Sequence, residues 1–114
     1  MTFVLVVDDE PQLLELLALM LRLRGHEVRT ATSGDAALRE AARRPPDIVL
    51  CDVLQPPAAT HDLVRSLAAR PAPPCVIVLG PVLPGAPNVP HLAKPFRPAD
   101  LYALMARVLA DSPS

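Results

Sequence analysis

Thr2-Phe3-Val4-Leu5-Val6-Val7 runs without a break into Asp8-Asp9-Glu10. A continuous apolar, β-branched run with no alternation is the pattern of a strand covered on both faces, as in a parallel sheet flanked by helices. The abrupt change to three acids marks the C-terminal end of that strand, where it meets water. Pro11 then opens a leucine-rich helix, because proline is tolerated in a first turn, and Gly25 is placed to end it.

Working outward, the same grammar repeats. Residues 28–31 read as a second short strand, and Ser33 caps a second helix that stops at Pro45-Pro46. Residues 48–51 form a third buried strand, again ended by an acid, Asp52. After a loop through Pro56-Pro57, a third helix is expected over about residues 60–69, with Thr60 as its N-cap. Residues 76–79 make a fourth strand, residues 92–93 a fifth, and Pro98 starts a last helix that ends near Leu109. Alternating strands and helices imply a parallel sheet with right-handed crossovers, an open α/β sandwich. One helix is missing from this alternation. Between Gly80 and Lys94 stand Pro81, Pro84, Gly85, Pro87 and Pro90 with no helical periodicity, so a proline-rich loop is expected there.

Composition narrows the function classes. At 114 residues the chain fits one domain of the usual ~100–150 residues, expected to span residues 1–114 with no separately folded output domain. Hydrophobic residues at 51% against 20% charged exclude a disordered chain. Eleven Lys and Arg against twelve Asp and Glu give a net charge of -1, so no bulk positive field draws in nucleic acid or an anionic membrane. The longest strongly apolar run, residues 16–21, falls far short of the ~20 residues of a membrane span, and no secretory leader pattern opens the chain. The expectation is a cytoplasmic protein without nucleic-acid or membrane partners. Cys51 and Cys75 are too few for a disulfide framework. They fall about four residues out of level on neighbouring strands, ~13 Å apart and too far to bridge. His26, His61 and His91 share no zinc-ligand spacing.

In open parallel sheets ligands sit outside the carboxyl ends of the strands. Asp8, Asp9 and Asp52 all lie at such ends, and carboxylates brought together there repel one another unless a hard cation bridges them. An oxygen-rich site with few protein ligands suits Mg²⁺. Lys94, just after the last strand, adds a charge of opposite sign. The plainer reading of Asp8-Asp9-Glu10, simple charge compensation at a helix N-terminus, does not account for Asp52 and Lys94.

Val7-Asp8-Asp9-Glu10, then Pro46-Asp47-Ile48-Val49-Leu50-Cys51-Asp52 with Pro56 four residues on, then Lys94-Pro95-Phe96 followed by Pro98 and Leu101 occur in that order. With Gly25-His26-Glu27-Val28, this set resembles the receiver domain of two-component response regulators over nearly the whole chain. The resemblance implies a flavodoxin-like sheet in the order 2-1-3-4-5 with helices on both faces. It implies that Asp52 is the phosphoacceptor and that Asp9, Asp52 and the Leu54 backbone carbonyl hold Mg²⁺ with support from Asp8. Lys94 would pair with Asp52 or its phosphoryl group, across a cis Lys94-Pro95 bond. The implied partners are a sensor histidine kinase or phosphotransfer protein and an output protein. A carboxylate nucleophile on phosphorus needs little beyond positioning and charge neutralisation, so the few groups present suffice.

Four positions depart from the family pattern. Gly80 stands where the family carries a Ser or Thr whose hydroxyl binds the phosphoryl group, and Pro81 follows where a backbone N–H normally donates to it. His91 takes the place of the switch aromatic, and the proline loop replaces the family's fourth helix. The competing class is therefore a pseudo-receiver, an interaction module that works without phosphorylation. A metal-dependent phosphatase is disfavoured because Asp8-Asp9-Glu10-Pro11-Gln12 lacks the Asp-x-Asp-x-Thr arrangement. The first helix is apolar nearly all round. It reads as a deep core helix with a few exposed leucines, the alternative being a partner groove or homodimer. Arg39, Arg43 and Arg44 read as a solvated face of the second helix.

Overall fold

The computed structural model describes residues 2–52, 54 and 56–111. Five parallel strands, β1 (Phe3–Val7), β2 (Glu27–Ala31), β3 (Ile48–Asp52), β4 (Cys75–Leu79) and β5 (His91–Leu92), form one sheet in the order β2-β1-β3-β4-β5. The helices are α1 (Pro11–Leu23), α2 (Gly34–Arg43), α3 (Pro57–Ala68) and α4 (Pro98–Asp111). The expected order and the doubly covered sheet are both present. Two apolar cores divide along the pleat. Val4 and Val6, Ile48 and Leu50, and Ile77 and Leu79 pack against α1 and α4, while Leu5 and Val7, Val49 and Cys51 pack against α2 and α3. Every residue of β1 and β3 is buried, which is why those strands carry no polar alternation.

The local signals act as their chemistry requires. Pro11 is the first residue of α1. Gly25, at φ 88°, closes that helix with a paired cap in which Gly25 N–H donates to Arg22 C=O and His26 N–H donates to Leu21 C=O. Ser33 Oγ accepts from Ala36 N–H at 3.1 Å and caps α2.

Some expectations need correction. The third helix starts at Pro57 rather than Thr60, with Pro56 at its N-cap and no side-chain cap. Thr60 lies inside the helix and is fully buried, so it is not a cap. Proline is a good first-turn residue, and Pro56-Pro57 marks the helix start rather than the loop before it. The fifth strand is His91–Leu92, one residue earlier than expected. Cys75 is level with Ile48 and Cys51 with Val78, an offset of three residues rather than four; both thiols are free. Arg44 is exposed as expected but lies beyond the end of α2, stacked over the Phe3 ring at 4.2 Å and ion-paired with Glu27, so it belongs to the helix's C-cap rather than to its face.

The segment between β4 and β5 contains no helix. It is built from two successive turns that share Ala86, closed by Ala86 N–H donating to Leu83 C=O and Val89 N–H to Ala86 C=O. Pro84 and then Gly85, at φ 79°, occupy the central positions of the first, the sequence that a type II turn demands. Leu83 is the buried side chain of this loop, and a Cβ placed on Gly85 would lie 4.0 Å from the His61 ring of α3. The loop therefore lies on the α3 side of the sheet, where the missing helix would have been.

Candidate functional site

Register builds the site. Val7 is level with Cys51, so the next residues, Asp8 and Asp52, emerge side by side at adjacent strand ends about 4.8 Å apart. Asp52 is in turn level with Leu79 and Leu79 with Leu92, which brings Gly80 and Lys94 to the same edge. Lys94 Nζ forms an ion pair with Asp52 Oδ2. The Lys94-Pro95 bond is cis.

Asp8 is buried, 2% exposed. Its Oδ1 accepts from Glu10 N–H at 2.9 Å, and its Oδ2 is buried with no hydrogen-bond partner among the described residues. The Asp52 carboxyl lies within hydrogen-bonding reach of Asp8. Two ionised carboxylates are both acceptors, so that contact becomes a hydrogen bond only when a proton is shared. Burial pushes the Asp8 carboxyl up to about 6; the Glu10 N–H opposes this, the neighbouring Asp52 adds to it, and Lys94 opposes it weakly. Two neighbouring carboxylates, one with a buried oxygen that has no hydrogen-bond partner among the described residues, are oxygen donors of the kind a hard divalent cation takes.

Asp9 is exposed and borders a neighbouring cavity of about 370 Å³ lined also by Ser33, Asp35, Leu54 and Asp62. The Asp52 cleft, about 310 Å³, is lined by Leu79, Gly80, Pro81, Ala93 and Lys94. The strand ends thus bring Asp8, Asp52 and Lys94 together, while Asp9 stands beside them on the wall of the next cavity. Among the described residues no three His, Cys, Asp or Glu side chains converge as a ready metal site.

Sequence reasoning missed what Thr60 does. Its Oγ1 accepts from the buried Leu54 N–H at 2.8 Å, so α3 holds the backbone two residues past Asp52. A hydroxyl four residues into a helix that starts at Pro56-Pro57 was the available signal, since helical side chains lean toward the N-terminus. The departures are also located. Gly80 and Pro81 line the Asp52 cleft itself. Gly80 N–H is engaged with Leu92 C=O at 2.9 Å, and proline has no N–H. His91 is exposed on β5.

Comparison with known proteins adds to this geometry. The response regulator receiver domain family matches residues 4–81. The chain is 42% identical over 78 residues to the transcriptional regulatory protein KdpE of Mycobacterium tuberculosis, a match covering 68% of this chain and 34% of KdpE. The match thus spans about a third of the length of KdpE and of similarly matched curated relatives. A response regulator receiver domain protein from Clostridium thermocellum superposes with a TM-score of 0.85 at 25% identity, over 97% of this chain and 96% of that one. The chemotaxis response regulator CheY4 of Vibrio cholerae gives 0.79 at 26% identity, over 95% and 98%. The family match stops at Pro81, where the proline loop begins, whereas the structural likeness continues through the rest of the chain.

Proposed function

Because this chain belongs to the response regulator receiver domain family, we propose that it accepts a phosphoryl group on Asp52 in a two-component phosphorelay. The observation that carries this reading is the placement of Asp8 and Asp52 at adjacent strand ends with Lys94 paired to Asp52. An Asp52 oxygen attacks phosphorus while the bond from phosphorus to the donor's leaving atom breaks, and the leaving group departs with that electron pair. Lys94 Nζ, already against Asp52, neutralises part of the charge on the transferred oxygens. Asp9, Asp52 and the Leu54 carbonyl, with Asp8 in support, would hold Mg²⁺; when bound, it supplies charge neutralisation between acceptor and phosphoryl group. Thr60 fixes the Leu54 backbone for that task. The donor partner is a sensor histidine kinase or phosphotransfer protein, and the role is signalling, without turnover of a substrate.

A second reading is favoured by one specific observation. Gly80 and Pro81 line the cleft and offer neither a hydroxyl nor an available N–H, so the part of the pocket that would sense the phosphoryl group is missing. In that reading the domain is a pseudo-receiver that binds a partner regardless of phosphorylation. Intact-mass measurement after incubation with acetyl phosphate and Mg²⁺ separates the two. One added phosphoryl group on the wild type and none on Asp52→Asn is the expected result. No mass gain on the wild type overturns the phosphoacceptor reading, and a gain on Asp52→Asn overturns the site.

A further inference from the structure

We propose that this chain pairs with a second copy of itself through α1, the two helices antiparallel about a twofold axis. The core-facing residues of α1 are Leu14, Leu17, Ala18 and Leu21. At 100° per residue, Leu16, Leu19 and Leu23 fall on the opposite side, and they are 53%, 54% and 78% exposed. Their 3-then-4 spacing, continued back to Gln12, is the seam of a helix pair rather than a scatter of single exposed leucines.

The charges beside that seam choose the occupant. Glu15 and Arg22 lie on one flank, seven residues apart, and therefore about 10 Å apart along the helix, too far to meet within one chain. Among the described residues neither forms an ion pair within the chain. Arg22 Nη2 donates to Val28 C=O at 3.0 Å, which holds the guanidinium at the rim of a groove of about 580 Å³ that Glu15, Leu16 and Leu19 also line. In an antiparallel pair with Leu16 facing the other copy's Leu19, Glu15 and the other copy's Arg22 stand on the same flank only two residues, about 3 Å, apart along the axis, within reach of their side chains. Glu15 then meets Arg22 of the second copy, and the twofold axis repeats the contact. In a parallel pair Glu15 would face Met20 instead, leaving the charges unmatched. One acid and one base spaced to satisfy their own image identify a second copy as the occupant. A contact made by a single helix of this length is small, so the association is weak and reversible.

Sedimentation velocity on the chain from about 10 μM to about 1 mM tests this. A reversible monomer–dimer equilibrium is expected, and Leu19→Glu, at an exposed position, abolishes it while leaving the thermal melt unchanged. Glu15→Lys and Arg22→Glu each weaken self-association several-fold, and a mixture of the two variants associates more tightly than either alone. A monomer at all concentrations, a dimer that survives Leu19→Glu, or a mixture no tighter than its components overturns the proposal. None of these readouts depends on phosphorylation of Asp52.

Discussion

Thr60 Oγ1 accepts a hydrogen bond from the Leu54 backbone N–H at 2.8 Å, joining the second turn of α3 to the segment that leaves β3. Replacing Thr60 with valine keeps the volume and removes the acceptor. It leaves a buried N–H unpaired, at a cost of about 1–3 kcal/mol. Urea unfolding should show a lower midpoint with an unchanged slope, and Thr60→Ser, which keeps the hydroxyl, should recover most of the loss. If the Leu54 carbonyl is a Mg²⁺ ligand, affinity for the ion should fall with Thr60→Val and much less with Thr60→Ser.

Asp8 makes stability depend on pH in the direction opposite to an ordinary salt-bridged acid. Burial raises its carboxyl to about 6 in the folded chain, from 3.8. Between those values the folded state binds more protons than the unfolded one, so stability falls as pH rises from about 4 through about 6 and stays lower above it. Thermal melts without divalent cations should show this decline. Asp8→Asn should flatten it and raise the melting temperature at neutral pH. Added Mg²⁺ should stabilise the wild type most at the high-pH end, where Asp8 is ionised.

Lys94 and a bound cation would compete for the Asp52 carboxylate. Lys94→Ala should therefore tighten Mg²⁺ binding several-fold, measured by titration calorimetry or chemical shift. It should also slow phosphorylation by acetyl phosphate about tenfold or more, since one source of charge neutralisation is gone. Unchanged Mg²⁺ affinity would mean that Lys94 and the ion do not share Asp52.

Phosphorylation should change little beyond the acid pocket. A ligand shifts a conformational equilibrium only by contacts that differ between the two states, and Gly80, Pro81 and His91 supply none of the expected ones. Amide spectra with and without beryllofluoride should show shifts confined to the neighbourhood of Asp8, Asp52 and Lys94. Large coherent shifts from Val82 through Phe96 would show that the loop is a switch after all.

The proline loop is held by its turns. Gly85 sits at φ 79°, a conformation that costs a residue with a Cβ about 1–2 kcal/mol. Gly85→Ala should lower stability by that amount, whereas Ala86→Ser, outside any left-handed position, should be near neutral. Equal effects of the two variants would mean that the turn is not specified by its glycine.

Much was legible in the chain itself because the deciding interactions are local. An unbroken apolar run reports a strand buried on both faces. Pro11, Gly25, Ser33 and the Pro84-Gly85 pair act through their own backbone torsions or neighbouring amides, and the order of the acids, Asp52 and Lys94 along the chain already outlined the pocket. What only the tertiary structure decided depends on register and on side chains arriving from distant segments. The one-residue levels of β1, β3 and β4 placed Asp8 beside Asp52, left Asp9 on the wall of the next cavity, and set the two cysteines three residues apart in level. Thr60 looked like a cap because its spacing was counted from the wrong helix start, and Arg44 looked like one more unpartnered residue of a helix face because nothing nearby in sequence announces Phe3 or Glu27. Local chemistry fixes the conformation of each element, but how far one strand slides past the next is settled by the packing of the whole sheet, and a shift of one residue would turn every side chain to the other face.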